Sequence, residues 1–382
     1  MEVGRSLTRV DAFDKVTGRA KYTDDLHGEA ILVARILHST IANGVVRSMD
    51  ISEAQAVPGV VKVLTCFDVP DIQYPTPGHP WSVEEAHQDV ADRKLLATRV
   101  RIYGDDIAVV VAENELAAQR GLEAIRVEYE EYPVCTTPEQ AMAEGALPIH
   151  EEHPDNVLKH TLFNVITPGA AVKDVDEVFA DPAYRVFEDH FDTQAVQHCH
   201  IENPVSYAYM EAGRIVVVSS TQIPHIVRRV IGQALGIGWG NIRVIKPYIG
   251  GGFGNKQEVL YEPLNAWITT QVGGRPVKLE CTREETFQNT RSRHPIHFDL
   301  KAAVGPDMRL MARECRAVSN QGGYASHGHA IVANAVTGFR QTYPDVLAHR
   351  SEAWTVYTNL GSTGAMRGYG IPQCNFAGEC MM

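Results

Sequence analysis

The residues most able to do chemistry by their type and spacing lie in Tyr248-Ile249-Gly250-Gly251-Gly252-Phe253-Gly254-Asn255-Lys256-Gln257-Glu258. Four of these eleven are glycine, three of them consecutive. Glycine carries no Cβ and tolerates positive φ, so the amides of such a stretch can crowd a polar group. The spacing does not match G-x-G-x-x-G, which argues against a dinucleotide. It does not match a phosphate loop either: Asn255 precedes Lys256, and Gln257 stands where magnesium binding needs a hydroxyl. Two readings remain, a ligand cradle and a glycine-rich turn joining a strand to a helix. Gly361 to Gln373 forms a second glycine-rich loop that contains Met366, Arg367 and Tyr369. His198 and His200 have the look of a metal pair, but alternation on a strand with satisfied core roles fits them better.

These loops need elements to position them. Ile242 to Ile245 reads as a strand before the first loop, and Glu258 to Gln271 as a helix after it. Val205–Met210 and Ile215–Ser219 pair as a hairpin across Glu211-Ala212-Gly213. A helix follows over His225–Leu235, with Ile226, Val227, Val230, Ile231 and Ala234 at helical spacing. Upstream, Ile31–His38, Val60–Thr65, Ile107–Ala112 and Arg126–Tyr132 read as strands. Ser52 opens a short helix from Ile51 to Ala56, and Asn114 caps a helix over Glu115–Ala124. Val69–Trp81 holds four prolines and reads as a loop. Downstream, Phe187–Thr193 and Pro276–Glu280 read as strands, Arg283 begins a helical turn, and Ile296–Val304 with Met308–Asn320 forms a second hairpin. The expected organisation is a small α/β unit at 1–132, a connector at 133–185 with one helix from Pro138 to Glu144, and a second unit at 186–382. The chain reaches Met382 in the first turns of a helix that begins near Asn375, which suggests an incomplete chain or half of a split protein.

A length of 382 residues allows two or three domains at about 100–200 residues each. Hydrophobic residues make up 44% and charged ones 21%, as in an ordinary globular protein. The net charge of −12, from 35 basic and 47 acidic residues, argues against a nucleic-acid partner. No apolar run approaches the length of about 20 residues that a membrane span needs. Residues 1–19 lack the apolar centre of a signal peptide, so the cytoplasm is the expected compartment. The seven cysteines are scattered with no C-x-x-C pair, which argues against an iron–sulfur cluster or a structural zinc site within this chain.

Several stretches together resemble one family. Asp11 to Asp25, Ser220-Thr221-Gln222, Gly250 to Lys256, Arg293-His294-Pro295 and Arg367-Gly368-Tyr369-Gly370 resemble the large, molybdopterin-binding subunit of the xanthine dehydrogenase and aldehyde oxidase family of molybdenum hydroxylases. Gln197 to His200, Thr221 to His225 and Gly254 to Gln257 look most like bacterial xanthine dehydrogenase molybdenum subunits. The resemblance implies an α+β architecture: an α/β hammerhead domain followed by the first molybdenum cofactor-binding domain, with mixed sheets and helices. It implies molybdopterin as cofactor, held near Gln222, Phe253 and Arg367. Gln222 would hydrogen-bond an oxo ligand of molybdenum. Arg293 would stabilise charge on a substrate heterocycle, and Tyr369 would stack on it. The alternatives for these three are a turn-closing amide, a salt-bridged arginine and a packed core aromatic. Gln257 stands where animal enzymes carry a substrate-contacting glutamate, as in the bacterial subgroup. The family hydroxylates purines such as hypoxanthine and xanthine with oxygen from water. Its electrons pass to 2Fe-2S clusters, FAD and NAD. The iron–sulfur and FAD-binding subunits, and the C-terminal half of the molybdenum subunit, are therefore the expected partners. The family's general base is a glutamate of that C-terminal half, so no residue here is assigned that role. A hydroxylase of another N-heterocycle or an aldehyde, and a non-catalytic assembly module, are the competing readings.

Overall fold

A computed structural model describes residues 3–26, 28, 30–78 and 88–382. The first stretch forms α1 (Ala12–Val16), β1 (Leu32–His38), β2 (Gly44–Asp50), α2 (Ser52–Ala56) and β3 (Val60–Thr65). It continues with β4 (Arg99–Val100), β5 (Asp106–Ala112), α3 (Glu115–Ala124) and β6 (Arg126–Glu131). Next come α4 (Pro138–Ala141), β7 (Val157–Ile166), α5 (Val175–Ala180), β8 (Arg185–Asp192), β9 (Val205–Glu211) and β10 (Arg214–Ser219). After these lie α6 (Pro224–Leu235), β11 (Ile242–Ile245), α7 (Glu262–Gln271), β12 (Val277–Glu280) and α8 (Arg283–Asn289). The chain closes with β13 (Ile296–Val304), β14 (Leu310–Gly322), α9 (Gly328–Gln341), β15 (Ala348–Tyr357) and α10 (Ile371–Met381).

Local chemistry accounts for many of these boundaries. The Asn114 side chain accepts the Ala117 amide and starts α3, a cap contributing about 1 kcal/mol. Pro224 sits in the first turn of α6, where its missing N–H costs nothing, and Gly236 ends the helix at φ 65°. Val227, Val230, Ile231 and Ala234 form the buried stripe of α6. In β5, Ile107 to Ala112 are all fully buried, because the strand is flanked by β1 and β3 and covered on both faces.

The strands make three sheets. The largest runs β11-β10-β9-β12-β1-β5-β3, the second β7-β15-β14-β13-β8 and the third β4-β2-β6. Parallel pairing of β1 with β12 makes the seven-stranded sheet continuous across the expected division between 1–132 and 186–382. One core joins Leu32, Val109 and Val111 to Val217, Val230, Leu264 and Trp267. A second core packs α9 and α10 on the five-stranded sheet through Phe298, Ala317, Val336, Phe339 and Cys374.

Several expectations are corrected. The stretch 133–185 is no bare surface connector: β7 pairs antiparallel with β15 along its length, and α5 packs Val175 and Val178 against Ala303, Ala312 and Ala348. The helix expected in that stretch ends at Ala141. The helix expected from Glu258 begins at Glu262, with Pro263 in its first turn, and Glu258 itself is extended. His198 and His200 lie outside the helices and strands, so no strand alternation governs them. The proline-containing loop has no helix or strand through residue 78; residues 79–81 lie outside the described residues, as does His27.

Candidate functional site

The two glycine loops touch. Gly254 has φ 109°, and a Cβ there would stand 2.5 Å from the Ala365 carbonyl oxygen. Only glycine lets the backbones approach this closely. Phe253 takes φ 52°, an uncommon conformation for a bulky side chain, and leaves its ring about half exposed. Its carbonyl accepts the Arg367 amide at 2.9 Å, which stitches the first loop to the second. Arg293 completes the stitch. Its guanidinium donates to the Arg367 carbonyl at 2.8 Å and to Gln373 Oε1 at 3.0 Å.

Gln222 closes the other side. Its backbone N–H donates to the Lys256 carbonyl at 2.8 Å, and its Oε1 accepts the Gly254 amide at 3.1 Å. A Cβ on Gly252 would lie 2.4 Å from that same Oε1. With Oε1 committed to Gly254, the Gln222 NH₂ has no partner among the described residues and is an exposed, uncharged donor.

A buried polar frame stands behind the loops. Glu258 Oε2 pairs with Arg291 Nε at 2.8 Å and accepts from Thr76 at 3.2 Å and from Ser326, while Oε1 accepts the Ala365 amide at 3.2 Å. Burial works to raise the Glu258 pKa; Arg291, His327 and these hydrogen bonds outweigh it and hold the carboxyl below its ordinary value. One carboxylate thus joins the turn after the first loop, the second loop, α9's approach and the N-terminal stretch. Glu202 does similar work for the first loop: its Oε2 accepts the Gly250 amide and the Lys256 ammonium, both at 2.8 Å. His200 Nε2 accepts from Asn255 at 3.0 Å while Nδ1 meets the Glu202 carbonyl at 2.6 Å. Burial and the nearby Lys256 charge push its pKa down to about 4, so the ring is neutral. His198 Nε2 meets the Ala365 carbonyl at 2.7 Å. Both histidines are loop braces.

The structure therefore links Gln222, Phe253, Arg367 and Arg293 through a run of backbone and side-chain hydrogen bonds. Tyr369 sits two residues beyond Arg367 at φ 49°, with its hydroxyl 2.8 Å from His327 Nδ1. The two rings meet edge-on at 5.7 Å. Gln257 is exposed on the 3₁₀ turn after the first loop, and no side-chain hydrogen bond joins it to the others among the described residues. No carboxylate among the described residues pairs with Arg293, which removes the salt-bridge alternative. Arg291, Ser326, Glu202 and His327 escaped the sequence reading, and Glu258 reads there as the start of a helix. Pro263 was the available signal, since proline favours the first turn of a helix and so places Glu258 outside it.

A molybdopterin fits what is present. The cradle is made of glycine backbone, and the exposed Gln222 NH₂ stands beside it as an uncharged donor. Among the described residues the single cluster of His, Asp or Glu with metal-ligating geometry involves none of these loop residues. The comparisons with known proteins decide the family. Residues 149–382 match the model of the molybdopterin cofactor-binding domain. Residues 17–133 match that of the aldehyde oxidase and xanthine dehydrogenase a/b hammerhead domain. The chain belongs to the xanthine dehydrogenase and aldehyde oxidase family of molybdenum hydroxylases. It is 47% identical to the xanthine dehydrogenase molybdenum-binding subunit of Escherichia coli O157:H7, over 98% of this chain and 48% of that protein. It is 32% identical to the nicotinate dehydrogenase large molybdopterin subunit of Eubacterium barkeri, over 100% of this chain and 84% of that one. The aldehyde oxidoreductase structure from Desulfovibrio gigas superposes with a TM-score of 0.87 at 29% identity, covering 98% of this chain and 40% of the other. The chain thus spans about half the length of its E. coli relative, and the hammerhead and cofactor-binding architecture implied by the sequence is the one observed.

Proposed function

We propose that this chain is the molybdopterin-holding part of a xanthine dehydrogenase that hydroxylates purines such as hypoxanthine and xanthine. The observation that carries the proposal is the joined pair of glycine loops with Gln222 across them, in a chain 47% identical to a xanthine dehydrogenase subunit. Gln222, Phe253 and Arg367 would hold the cofactor, and Gln257, Arg293 and Tyr369 would meet the substrate. When bound, the cofactor supplies a two-electron oxidation that incorporates oxygen from water.

The chain's own residues have simpler tasks. Gln222 offers a neutral N–H donor whose direction is fixed by the bond from Gly254 to its oxygen. A neutral donor orients an anionic ligand without adding charge. Arg293 supplies a cation whose position is set by two acceptors, and fixed charge stabilises developing negative charge better than mobile water does. Glu258 is no general base: both oxygens are engaged and the carboxyl is fully buried. The base would come from the C-terminal half of the molybdenum subunit. Iron–sulfur and FAD-binding subunits would carry electrons onward to NAD in a cytoplasmic complex. No helix among the described residues is long and apolar enough to cross a membrane.

A second reading, hydroxylation of another N-heterocycle, is favoured by one observation. One relative, of which this chain covers 84%, is a nicotinate dehydrogenase large molybdopterin subunit. A substrate panel on the assembled complex separates the two. Xanthine- or hypoxanthine-dependent NAD⁺ reduction is expected; turnover of nicotinate or aldehydes with none of purines would overturn the purine assignment.

A further inference from the structure

On the five-stranded sheet, β8 and β13 carry a block of four potential ligands. Antiparallel register sets His297 opposite Asp192 and Asp299 opposite His190. Alternation sends Phe191 and Phe298 into the second core, so these four side chains share the outer face. His190 Nδ1 lies 2.5 Å from Asp299 Oδ1, and His297 Nε2 lies 3.1 Å from the same oxygen. The ligand atoms of His190, His297 and Asp299 all lie within 4.8 Å of one another. His297 Nδ1 meets Asp192 Oδ1 at 2.8 Å.

We propose that His190, His297 and Asp299 form a peripheral Zn²⁺ site, with Asp192 as the carboxylate that orients His297. Two imidazole nitrogens and one carboxylate oxygen are a donor set that zinc prefers over calcium or magnesium. Tetrahedral bonds of about 2.0–2.2 Å set donors roughly 3.3 Å apart. The two spacings to Asp299 Oδ1, 2.5 and 3.1 Å, open to that value with sub-ångström side-chain movements. The pattern also has the usual supporting shell: one ring nitrogen of His297 faces the metal position while the other is held by a carboxylate. Three protein ligands leave one coordination position open. His297 and Asp192 also line a groove of about 260 Å³ with Thr136, Thr137, Glu139 and Asn320. The neighbouring cations Arg316 and Lys301 are engaged elsewhere: Arg316, opposite Asp299 on β14, lies 4.8 Å from the Trp354 ring centroid, and Lys301 pairs with Glu188 at 2.6 Å. Metal entry displaces the protons that bridge the imidazoles to Asp299.

The test titrates Zn²⁺ into the full chain against a chromophoric chelator. Circular dichroism confirms that the His190→Ala/His297→Ala double variant is folded, and His190→Gln/His297→Gln serves if it is not. The unaltered chain is expected to bind one more zinc than the double variant. Asp192→Asn is expected to keep the site with affinity weaker by about 10–100-fold. Equal zinc binding by the unaltered and double-variant chains would overturn the proposal. A Co²⁺ derivative of the unaltered chain is expected to show the visible absorption of a low-coordinate ion, and its absence would overturn the proposal without any variant.

Discussion

The contact between the two glycine loops can be broken by a single methyl group. In Gly254→Ala, the new Cβ would meet Ala365 O at 2.5 Å, Ala365 C at 2.8 Å and Met366 Cα at 3.0 Å. All three are backbone atoms, so no rotamer change relieves the clash. The loops must part by about 0.9 Å to restore ordinary contact. Overpacking of this kind costs about 1–3 kcal/mol. Alanine at φ 109° adds about 1–3 kcal/mol of backbone strain. Parting the loops also weakens the bond from the Arg367 amide to the Phe253 carbonyl, another 0.5–1.5 kcal/mol or so. The sum is roughly 2.5–7.5 kcal/mol, with molybdenum lost from whatever chain remains folded. Gly252→Ala is the control. Its Cβ meets the Gln222 side chain, whose end can swing away, and the backbone there is ordinary. That variant should lose only about 0.5–1.5 kcal/mol, because the flexible amide moves and the one bond to Gly254 breaks. Urea unfolding of both variants measures the difference. Equal stability of Gly254→Ala and the unaltered chain would refute the loop contact as a structural constraint.

Other expectations concern the frame behind the loops. Glu258→Gln leaves the Arg291 guanidinium buried without its counter-charge and should cost about 3–5 kcal/mol in urea unfolding, with much of the loss restored in Glu258→Gln/Arg291→Met. Acid should weaken the fold through buried neutral histidines. Burial lowers His150 and His349 to about 3, and His200 and His294 to about 4, from 6.5. The unfolded chain then binds more protons than the folded one, so stability falls as pH drops from about 6.5 towards 4 and levels off below the folded values. Denaturant midpoints that stay flat across that window would contradict these assignments. Arg293→Ala in the assembled complex should lower kcat/KM per bound molybdenum by about 10²–10³ for purines, as loss of one fixed electrostatic donor does; an unchanged value would remove Arg293 from the substrate site.

The parts of this site that were legible in the sequence are those with strong local chemistry. Three consecutive glycines mark a place where backbone can approach closely, and a proline at the start of α6, a glycine at its end and the short turn between β9 and β10 each have one physical reading. What stayed hidden depends on distant partners. β7 is an edge strand with an irregular exposed pattern, and it forms only because β15, far along the chain, offers its ladder. Glu258 follows a glycine loop and precedes a helix, and nothing local distinguishes it from a first-turn helical acid except Pro263. Its role comes from Arg291, Ser326, Thr76 and Ala365, which only the tertiary fold assembles. The resemblance to the molybdenum hydroxylases singled out Gln222, Arg293 and Arg367 because each lies in a short, recognisable stretch of sequence. Bracing residues such as Glu202 and His200 have no comparable local signature.

The most direct test of the central claim is the molybdenum and pterin content of the protein purified as its assembled complex. Molybdenum and pterin in equal amounts, stoichiometric with this chain and reduced by Gly254→Ala, are the expected result. A folded complex that contains neither would contradict the assignment of these loops as a molybdopterin cradle.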